Sequence, residues 1–509
     1  MNVTLLEGLA ALAALSPAIG LSRVLAQPGA RRRLQVFAPF AYKAVLGLLV
    51  YVGVILALAA RAPKLLLPAG GAALAALLVE RWQARNDYGE ASALPPGSLS
   101  FFKLGPWSDQ EFFRKEIERH GPVFKVRIAP RPTICVYGLE RAQRLHEAHG
   151  HQLGTGMQPP FERWIPGGFL RSLQDGTRGR YIPLFARAFS RELIYENRDR
   201  IGAQIAAGLG EVTEGDSLLK SHDVVEILFP IFSGLCLGAW DPPEVKELRK
   251  DFAKIDLRYG LSRSPWTERA AVRKLEAGLF SKLESLDAID DSGFQSALTN
   301  LIQEDPAATQ GQVVIRNLIF LTMTSWHDVS GLSVWLLKLL SDYPSVVEEI
   351  RAELDGDSPG RPPLTLLAVR EALRLQQSEF VSRTVLDEFE FERFRFPKGW
   401  RLRILEHENH RDPALFDRPN EFWPQRFRES PPPASSYAPF GVAGIRCLGV
   451  QLTLAVGESL ARELCGHYEW TVVADGPPEF GGLHWRPNSR FAVALEARAA
   501  AHRKNSAAG

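Results

Sequence analysis

The sequence predicts a mainly α-helical fold with a minority of short β-strands, placed behind an N-terminal membrane anchor. Apolar runs dominate residues 1–90 and are absent at that density afterwards. A proline-free stretch from Gln312 to Leu340 carries apolar residues at helical spacing throughout. Strand-like alternation is confined to short segments such as KVRIAPRPTICVYG. We therefore expect a membrane anchor over residues 1–90 and one catalytic domain over residues 91–509.

Composition limits the functional classes. The chain has 509 residues, of which 46% are hydrophobic and 23% charged, so it can bury a large core. The net charge of +2 gives no reason to expect nucleic acid as a partner. The four cysteines are scattered without CxxC spacing, which argues against a disulfide framework and against a structural zinc site.

Three apolar stretches, at residues 5–26, 44–60 and 65–79, form the predicted anchor. The middle stretch is uncharged and nearly reaches the roughly 20 residues that a membrane-spanning helix needs. A cleavable signal peptide would carry its basic residues first, whereas here Arg31–Arg33 follow the first run. An uncleaved anchor is therefore favoured, with buried core helices as the remaining alternative. The basic residues favour a cytosolic position for the catalytic domain.

The body begins after Pro95-Pro96-Gly97, which can act as a stiff connection. The alternating apolar residues of KVRIAPRPTICVYG predict two strands around a proline turn. The stretch from Gln312 to Leu340 predicts one long buried helix that ends before Pro344. LTLLAVREALRLQQ, residues 364–377, predicts another helix because it is rich in strong helix formers.

Cys447 differs from the other cysteines in its surroundings. A glycine-rich irregular stretch precedes it, and an apolar helix is predicted to begin immediately after it. The start of a helix favours a thiolate, which is the form of cysteine that can bind iron. Phe440 can add an aromatic wall, whereas Cys135, Cys236 and Cys465 lie in apolar runs and are interpreted as buried hydrophobic residues. A structural turn before a helix would by itself explain the glycines. The interpretation of Cys447 as an iron ligand therefore depends on two further motifs.

Glu371 and Arg374, in the segment EALR, are three residues apart on a predicted helix and share a face. An exposed ion pair is the ordinary interpretation of such a pair in isolation. Arg426, in FWPQRF, supplies a second guanidinium that can bridge Glu371 in a buried bidentate network. Because burial of these charges is costly unless all are paired, the network would fix geometry rather than add much stability.

The ordered set of motifs resembles the cytochrome P450 family over residues 95–500. The matching motifs are ExxR at Glu371–Arg374, HRDP at His410–Pro413, FWPQRF at Phe422–Phe427 and the loop Phe440–Gly449 around Cys447. The resemblance implies a mostly helical single-domain heme-thiolate fold, with heme b between the long central helix and the helix after the cysteine. It also implies Cys447 as the axial ligand of the iron, and Glu371, Arg374 and Arg426 as a structural triad.

The cysteine loop departs from the family pattern FxxGxRxCxG at two positions. Ala443 replaces the second glycine and Ile445 replaces the arginine, with Arg446 one residue later. The heme propionate that this arginine binds in the family then needs another partner. The candidates, each of which can also be an ordinary solvated arginine, are Arg446, Arg383, and Arg178 with Arg180.

The central helix departs further. The family's Ala/Gly-Gly-x-Asp/Glu-Thr stretch aligns with residues 324–328, so His327 and Asp328 take the places of the acid and the alcohol. In the family this pair relays protons during oxygen activation. Because a histidine side chain ordinarily titrates near neutral pH, His327 can replace the relay, with Asp328 or Ser325 beside it. Alternatively the enzyme uses peroxide or rearranges a hydroperoxide, or His327 faces away from the heme and only packs.

The resemblance and the anchor together predict a membrane-bound monooxygenase that inserts one oxygen atom into a lipophilic organic substrate. The chain contains no flavin or nicotinamide fingerprint, so the electrons are expected from a separate reductase or ferredoxin. Two alternatives stay open. One is a peroxygenase, hydroperoxide isomerase or dehydratase that needs no external electrons, and the other is a non-catalytic heme-binding sensor.

Overall fold

The computed structural model describes residues 93–99, 105–128, 131–156, 170, 175–255, 265–285, 296–305, 311–356, 362–377, 380–480 and 484–498. The predicted membrane anchor, residues 1–90, lies outside this part of the chain. Among the residues described, no single helix has the length and apolar character needed to cross a bilayer. One pair of helices, Ser221–Leu237 and Pro242–Phe252, reaches both only when taken together, with a bend of 99° between them.

Helices dominate the described chain, as predicted. The α-helices are α1 Gly105–Ser108, α2 Phe112–His120, α3 Leu139–His149, α4 Asp175–Ala188, α5 Arg191–Glu214, α6 Ser221–Leu237, α7 Pro242–Phe252, α8 Pro265–Ser285, α9 Ala297–Glu304, α10 Gln312–Asp342, α11 Pro344–Asp355, α12 Leu364–Ala372, α13 Glu406–Asn409, α14 Arg426–Glu429 and α15 Val450–His467. Short 3₁₀ turns occupy Gly150–Gln152 and Ala434–Ser436, and a π-helical turn occupies Leu373–Gln377.

Strands are short and form a minor part of the fold. They are β1 Gly97–Ser98, β2 Val123–Ile128, β3 Arg131–Val136, β4 Leu153–Thr155, β5 Leu218–Lys220, β6 Phe380–Val385, β7 Phe389–Phe391, β8 Phe394–Phe396, β9 Arg401–Leu405, β10 Tyr468–Ala474, β11 Glu479–Phe480, β12 Trp485–Arg486 and β13 Ala492–Ala497. The pair predicted from KVRIAPRPTICVYG is confirmed as β2 and β3.

The described residues fall into two compact units. The first contains those up to Cys135 together with Asp387–Arg401. Within it β1 runs parallel to β2, β2 neighbours β3, and β7 pairs with β8 as an antiparallel hairpin. The Lys125 ammonium donates to the Pro95 carbonyl at 2.6 Å, and its backbone N–H donates to the Pro96 carbonyl at 2.7 Å. The proline-rich connection is therefore bound to β2 at this point.

The second unit, which contains the other residues from Val136 onward, holds the long central helix and all the motifs of interest. The prediction of one long helix is confirmed by α10, which ends at Asp342, two residues later than expected. Pro344 then occupies the first turn of α11, where the missing proline N–H costs nothing. Two buried apolar clusters flank α10, one shared with α5, α6 and α15, and the other with α11, α12 and α15.

Three sets of paired strands complete the second unit. Strand β6 lies between β9 and β4, and β13 lies between β10 and β5. Strands β11 and β12 form an antiparallel hairpin that packs against α10 and against the turn after α12. The predicted helix over residues 364–377 is present, but its last five residues form the π-helical turn rather than α-helix. Such turns re-aim side chains and are frequent at functional sites.

Candidate active site

The loop before α15 presents Cys447 as an exposed side chain. The Cys447 backbone N–H donates to the Phe440 carbonyl at 2.8 Å, which closes the loop. Helix α15 begins at Val450, so the cysteine precedes the helix by three residues, a later start than predicted. Gly449, the residue before the helix, donates its N–H to the Cys447 sulfur at 3.3 Å. A backbone donor at the start of a helix favours the thiolate form of this cysteine.

Unusual backbone angles shape the loop. Gly441 and Gly444 have φ angles of +107° and +75°, and a Cβ on Gly441 would lie 2.6 Å from the Ile445 carbonyl oxygen. Ala443, at the position where the family has glycine, also has a positive φ of 53°. Because a Cβ in this region costs roughly 1–2 kcal/mol, the departure at residue 443 keeps the glycine conformation and adds strain.

The structure describes all four cysteines, and Cys447 is the exposed one. Cys135, Cys236 and Cys465 are each fully buried. Burial raises the pKa of the Cys236 and Cys465 thiols to about 12. These two thiols therefore stay protonated near neutral pH. The exposed Cys447 sulfur is the one suited to bind heme iron as a thiolate.

The structure brings Glu371, Arg374 and Arg426 together in a fully buried network. Arg374 donates from Nε and Nη2 to the two Glu371 carboxylate oxygens at 3.0 and 2.8 Å. Arg426 Nε donates to Glu371 Oε1 at 2.9 Å, and the Trp423 backbone N–H donates to the same oxygen at 3.1 Å. The Glu371 carboxylate of α12 thus joins two guanidinium groups, one from the π-helical turn after α12 and one from α14.

Backbone carbonyls occupy the remaining guanidinium donors. Arg374 donates to the carbonyls of His410 and Pro419 at 2.6 and 2.7 Å. Arg426 donates to the carbonyls of Asp417 and of Arg418, the latter at 2.9 Å. The segment from the HRDP motif to α14 is therefore folded around the two arginines, and α12 is fixed to the chain that leads into the cysteine loop.

The HRDP motif reinforces this arrangement. Arg411 donates from Nε and Nη2 to the Leu375 carbonyl, at 3.2 and 2.7 Å, and so fixes the π-helical turn. Burial, with the Arg374 charge, lowers the pKa of His410 to about 3, so its imidazole is neutral. Its Nε2 accepts the Ala438 backbone N–H at 3.0 Å, which connects the motif to the residues just before Phe440.

One face of α10 is directed at the cysteine loop. The Ser325 hydroxyl and the Cys447 sulfur lie 3.9 and 3.7 Å from the position that a Cβ on Gly449 would occupy. Asp328 is three residues after Ser325 and shares this face, whereas His327 is two residues after it and does not. The His327 ring lies against Trp326, with 4.5 Å between ring centroids. Asp328, rather than His327, therefore lies on the face of α10 that carries Ser325.

The turn before β12 meets α10 at Asp328. His484 Nε2 lies 3.8 Å from Asp328 Oδ1, and Arg486 Nη2 donates to the His327 carbonyl at 3.2 Å. Burial lowers the pKa of His484; the Asp328 charge opposes this shift, and the charges of Arg486 and Arg403 add to it. His484, Arg486 and Arg403 were not expected from the sequence, because no local pattern links them to α10.

The propionate candidates occupy different environments. Arg383 is buried and donates to the Ala443 carbonyl at 2.7 Å, directly at the cysteine loop. Arg446 is exposed on the loop itself. Arg180 forms an exposed ion pair with Asp305 at 2.8 Å, which accounts for its position without a cofactor. Arg178 belongs to α4, but its side chain lies outside the described part.

Comparison with known proteins agrees with this geometry. The family model described as Cytochrome P450 matches residues 314–478, which include most of α10, the Glu371 network and the cysteine loop. Over these residues the chain is similar to the cytochrome P450 family. Proteins of this family use heme b with a cysteine thiolate ligand, and the relatives that this chain resembles are oxygen-incorporating oxidoreductases.

Relatives and solved structures extend the similarity beyond the matched segment. The chain is 23% identical to abscisic acid 8'-hydroxylase 2 of Oryza sativa subsp. indica, over 78% of this chain and 87% of the relative. It is 22% identical to abscisic acid 8'-hydroxylase 1 of Arabidopsis thaliana, over 75% and 86% of the two chains. A retinoic acid bound cyanobacterial CYP120A1 structure has a TM-score of 0.67 at 19% identity, covering 80% of this chain and 99% of that one. The structural likeness supports the fold.

Proposed function

We propose that this protein inserts one oxygen atom into a lipophilic organic substrate, with Cys447 as the axial ligand of heme b and electrons from a separate reductase or ferredoxin. The supporting observation is the exposed Cys447 sulfur, which accepts the Gly449 N–H and faces the Ser325 side of α10. When bound, the heme supplies oxygen activation. The protein supplies the thiolate, the fixed loop and the walls of the substrate site.

The structural part of the proposal assigns distinct tasks to the arginines. Glu371, Arg374 and Arg426 hold the chain that leads into the cysteine loop, because their donors reach carbonyls along that chain. Arg383 would bind a heme propionate, since its guanidinium is already beside the Ala443 carbonyl. Arg446, exposed one residue before the cysteine, is the second propionate candidate.

The thiolate assignment is tested by the absorption spectrum of the reduced, carbon monoxide-bound protein. We expect the red-shifted Soret band of thiolate ligation in the wild-type protein and its loss in Cys447→Ser. Cys465→Ala is the matched control, since it removes a buried cysteine from α15 and should keep the band. A wild-type protein that binds heme without this band would overturn the proposal.

Peroxide use is a second candidate, and the residues of α10 favour it. Asp328, at the position where the family has an alcohol, lies on the same face of α10 as Ser325. His327, at the position of the family's acid, lies against Trp326. Product analysis separates the two functions. Turnover that requires NADPH and a reductase supports the monooxygenase, whereas equal turnover with hydrogen peroxide alone supports a peroxygenase.

The substrate class is inferred from the relatives and the apolar character of the anchor. Because the named relatives hydroxylate abscisic acid, we propose a lipophilic substrate of similar size. Binding of candidate compounds can be followed by the shift of the heme Soret band. A protein that responds only to hydrophilic compounds would contradict this assignment.

We also propose that residues 1–90 hold the enzyme in a membrane with the catalytic domain on the cytosolic side. The uncharged stretch 44–60 and the basic residues 31–33 support this orientation. Alkaline carbonate extraction should leave the full chain in the membrane fraction. Protease added to sealed vesicles, cytosolic side outward, should digest the domain that carries Cys447; protection of this domain would reverse the orientation.

A further inference from the structure

His146 lies at the contact between α3 and the cysteine loop. It occupies the last turn of α3, and its ring is close to two glycines that are far apart in the sequence. A Cβ on Gly150 would lie 2.6 Å from both Nδ1 and Cε1 of this ring, and a Cβ on Gly444 would lie 2.5 Å from Cε1. Because Cβ atoms essentially never approach another atom within 3.0 Å, the ring fills the space that a side chain at either position would need.

The two glycines differ in backbone conformation. Gly150 has φ and ψ angles of −57° and −32°, which is the α-helical conformation that any residue adopts. The backbone therefore does not require glycine at this position, and the His146 ring is what excludes a side chain. Gly444 has a φ of +75°, so both the left-handed backbone and the ring favour glycine there.

Gly444 is also contacted from a second element. Arg383 Nη2 lies 3.1 Å from the position of a Cβ on Gly444 and donates to the Ala443 carbonyl at 2.7 Å. Arg383 belongs to β6, where it is in register with Thr155 of β4, the first strand after α3. One connected framework therefore contacts the turn Ala443–Gly444 from both α3 and β6.

The turn that the ring contacts leads directly to Cys447. The Ile445 backbone N–H donates to the Val442 carbonyl at 3.1 Å, and the Cys447 backbone N–H donates to the Phe440 carbonyl at 2.8 Å. Gly444 lies inside both of these hydrogen-bonded loops. A shift of Gly444 consequently moves the chain that carries the sulfur.

The His146 ring acts through its shape. Its Nδ1 is buried and has no hydrogen-bond partner among the residues that the structure describes. Burial lowers the pKa of the imidazole, and the Arg383 charge adds to this shift while Glu147 opposes it. The ring is therefore neutral near neutral pH and lies beside the guanidinium without charge repulsion.

We propose that His146 is a positioning residue for Cys447, because its ring fixes the turn Ala443–Gly444 and thereby the place of the sulfur. This inference rests on the proposed role of Cys447 as the ligand of the heme iron. Such a ligand has to be held within about 0.5 Å of its productive position by neighbours whose own conformation is locked by packing. His146 supplies this packing from α3, in addition to the hydrogen bond that Arg383 supplies from β6.

The test uses the heme-loaded full chain and two measurements. Hydrogen exchange of the loop peptide 440–449 is followed by mass spectrometry, and the spectrum of the reduced, carbon monoxide-bound protein is recorded. His146→Ala should raise the exchange rate of the loop roughly tenfold, remove most of the red-shifted Soret band and leave the exchange of α6 unchanged. His467→Ala is the matched control, since it makes the same change at an exposed histidine in the last turn of α15 and should alter neither measurement.

Two glycine variants test the contact from its two sides. Gly150→Ala fits the helical backbone and disturbs the loop only by displacing the ring. It should raise loop exchange severalfold in the wild-type background and have no effect when combined with His146→Ala. Gly444→Ala carries the strain of a positive φ in both backgrounds, but its Cβ meets the ring only when His146 is present. The combined effect of Gly444→Ala and His146→Ala should therefore be smaller than the sum of the single effects.

Loop exchange that is unchanged in His146→Ala would overturn the inference. So would an equal rise in the peptides of α6, or an effect of Gly150→Ala that persists without the ring. If His146→Ala does not fold, Gly150→Ala alone decides. Its control is then Gly202→Ala on α5, where a Cβ would meet no atom of the described residues within 4 Å.

The same samples separate this inference from the proposed function. Absence of the red-shifted band in the wild-type protein would overturn Cys447 as the iron ligand. Hydrogen exchange does not depend on which atom binds the iron, so the comparison of variants would still show whether His146 fixes the loop.

Discussion

Replacement of Glu371 by glutamine tests the role of the buried network directly. The carboxylate accepts four hydrogen bonds, three from the guanidinium groups of Arg374 and Arg426 and one from the Trp423 backbone N–H. A glutamine amide keeps one oxygen and places an NH₂ group where the other oxygen accepted. At least one buried donor then faces another donor, and two buried positive charges lose their counter-ion.

The magnitude follows from the burial. Glu371 and Arg374 have no exposed side-chain surface, and Arg426 has 1%. Burial already lowers the pKa of the Arg426 guanidinium, with the Glu371 charge opposing the shift. Removal of one partner from a buried ion pair costs about 3–5 kcal/mol. We expect a loss of this size in Glu371→Gln, which is a large part of the roughly 5–15 kcal/mol that stabilises a typical domain.

The measurement is urea unfolding of the full chain, followed by far-ultraviolet circular dichroism. Glu458→Gln is the matched control, because Glu458 accepts from Arg462 at 3.2 Å on the exposed surface of α15. The control should lose less than about 1 kcal/mol. Addition of Arg426→Met to Glu371→Gln should recover about 1 kcal/mol or more, since it removes an uncompensated buried charge.

Two outcomes would refute the reasoning. A Glu371→Gln protein as stable as Glu458→Gln would show that the buried charges do not depend on the carboxylate. The stability of Arg426→Met alone is measured for comparison. If the double variant loses as much stability as Glu371→Gln and Arg426→Met lose together, uncompensated charge is not the cause. In either case the network would have to act through packing alone.

Three further predictions concern strain, pH and thiol reactivity. Ala443→Gly should stabilise the protein by up to about 1 kcal/mol in urea unfolding, because it relieves the positive φ, whereas Ala461→Gly in α15 should destabilise it by about as much. Burial raises the pKa of Glu406 to about 8 from its ordinary 4.5, so its contribution to stability is full below pH 4.5 and is lost as the pH rises to about 8. Glu406→Gln should therefore gain stability relative to the wild type across that range, and parallel pH profiles would contradict this. A maleimide should label Cys447 alone once heme is extracted and no cysteine in the heme-loaded protein; early labelling of Cys236 or Cys465 would disagree with their burial.

Local patterns were sufficient to predict the main elements. Helix α10 was predictable because its apolar residues repeat over 31 residues without a proline. Strands β2 and β3 were predictable because their alternation is interrupted by a turn-forming proline. Glu371 and Arg374 were placed together by helical spacing, and Arg426 was added by the order of motifs, since 52 residues separate it from Arg374 and no local rule joins them.

Other features depend on tertiary contacts and left no local signal. The start of α15 was placed too early because Leu448 continues the apolar pattern, whereas the structure uses Gly449 as the N-cap. The π-helical turn after α12 depends on Arg411, whose guanidinium binds the Leu375 carbonyl from 36 residues away. The meeting of His484 with Asp328 joins residues 156 positions apart, through a hairpin with strands of only two residues.

The central helix and the hairpin together suggest how the altered residues of α10 are used. His327 and Asp328 were expected to replace the family's acid and alcohol within one helix. In the structure Asp328 shares the face of Ser325, and its polar neighbour is His484 from the hairpin. His327 instead contributes its carbonyl, which accepts from Arg486. A polar pair that spans two elements depends on the position of the hairpin, and Arg486 fixes the hairpin on α10 through the His327 carbonyl. Substitution of Arg486 is therefore expected to alter the contact between His484 and Asp328.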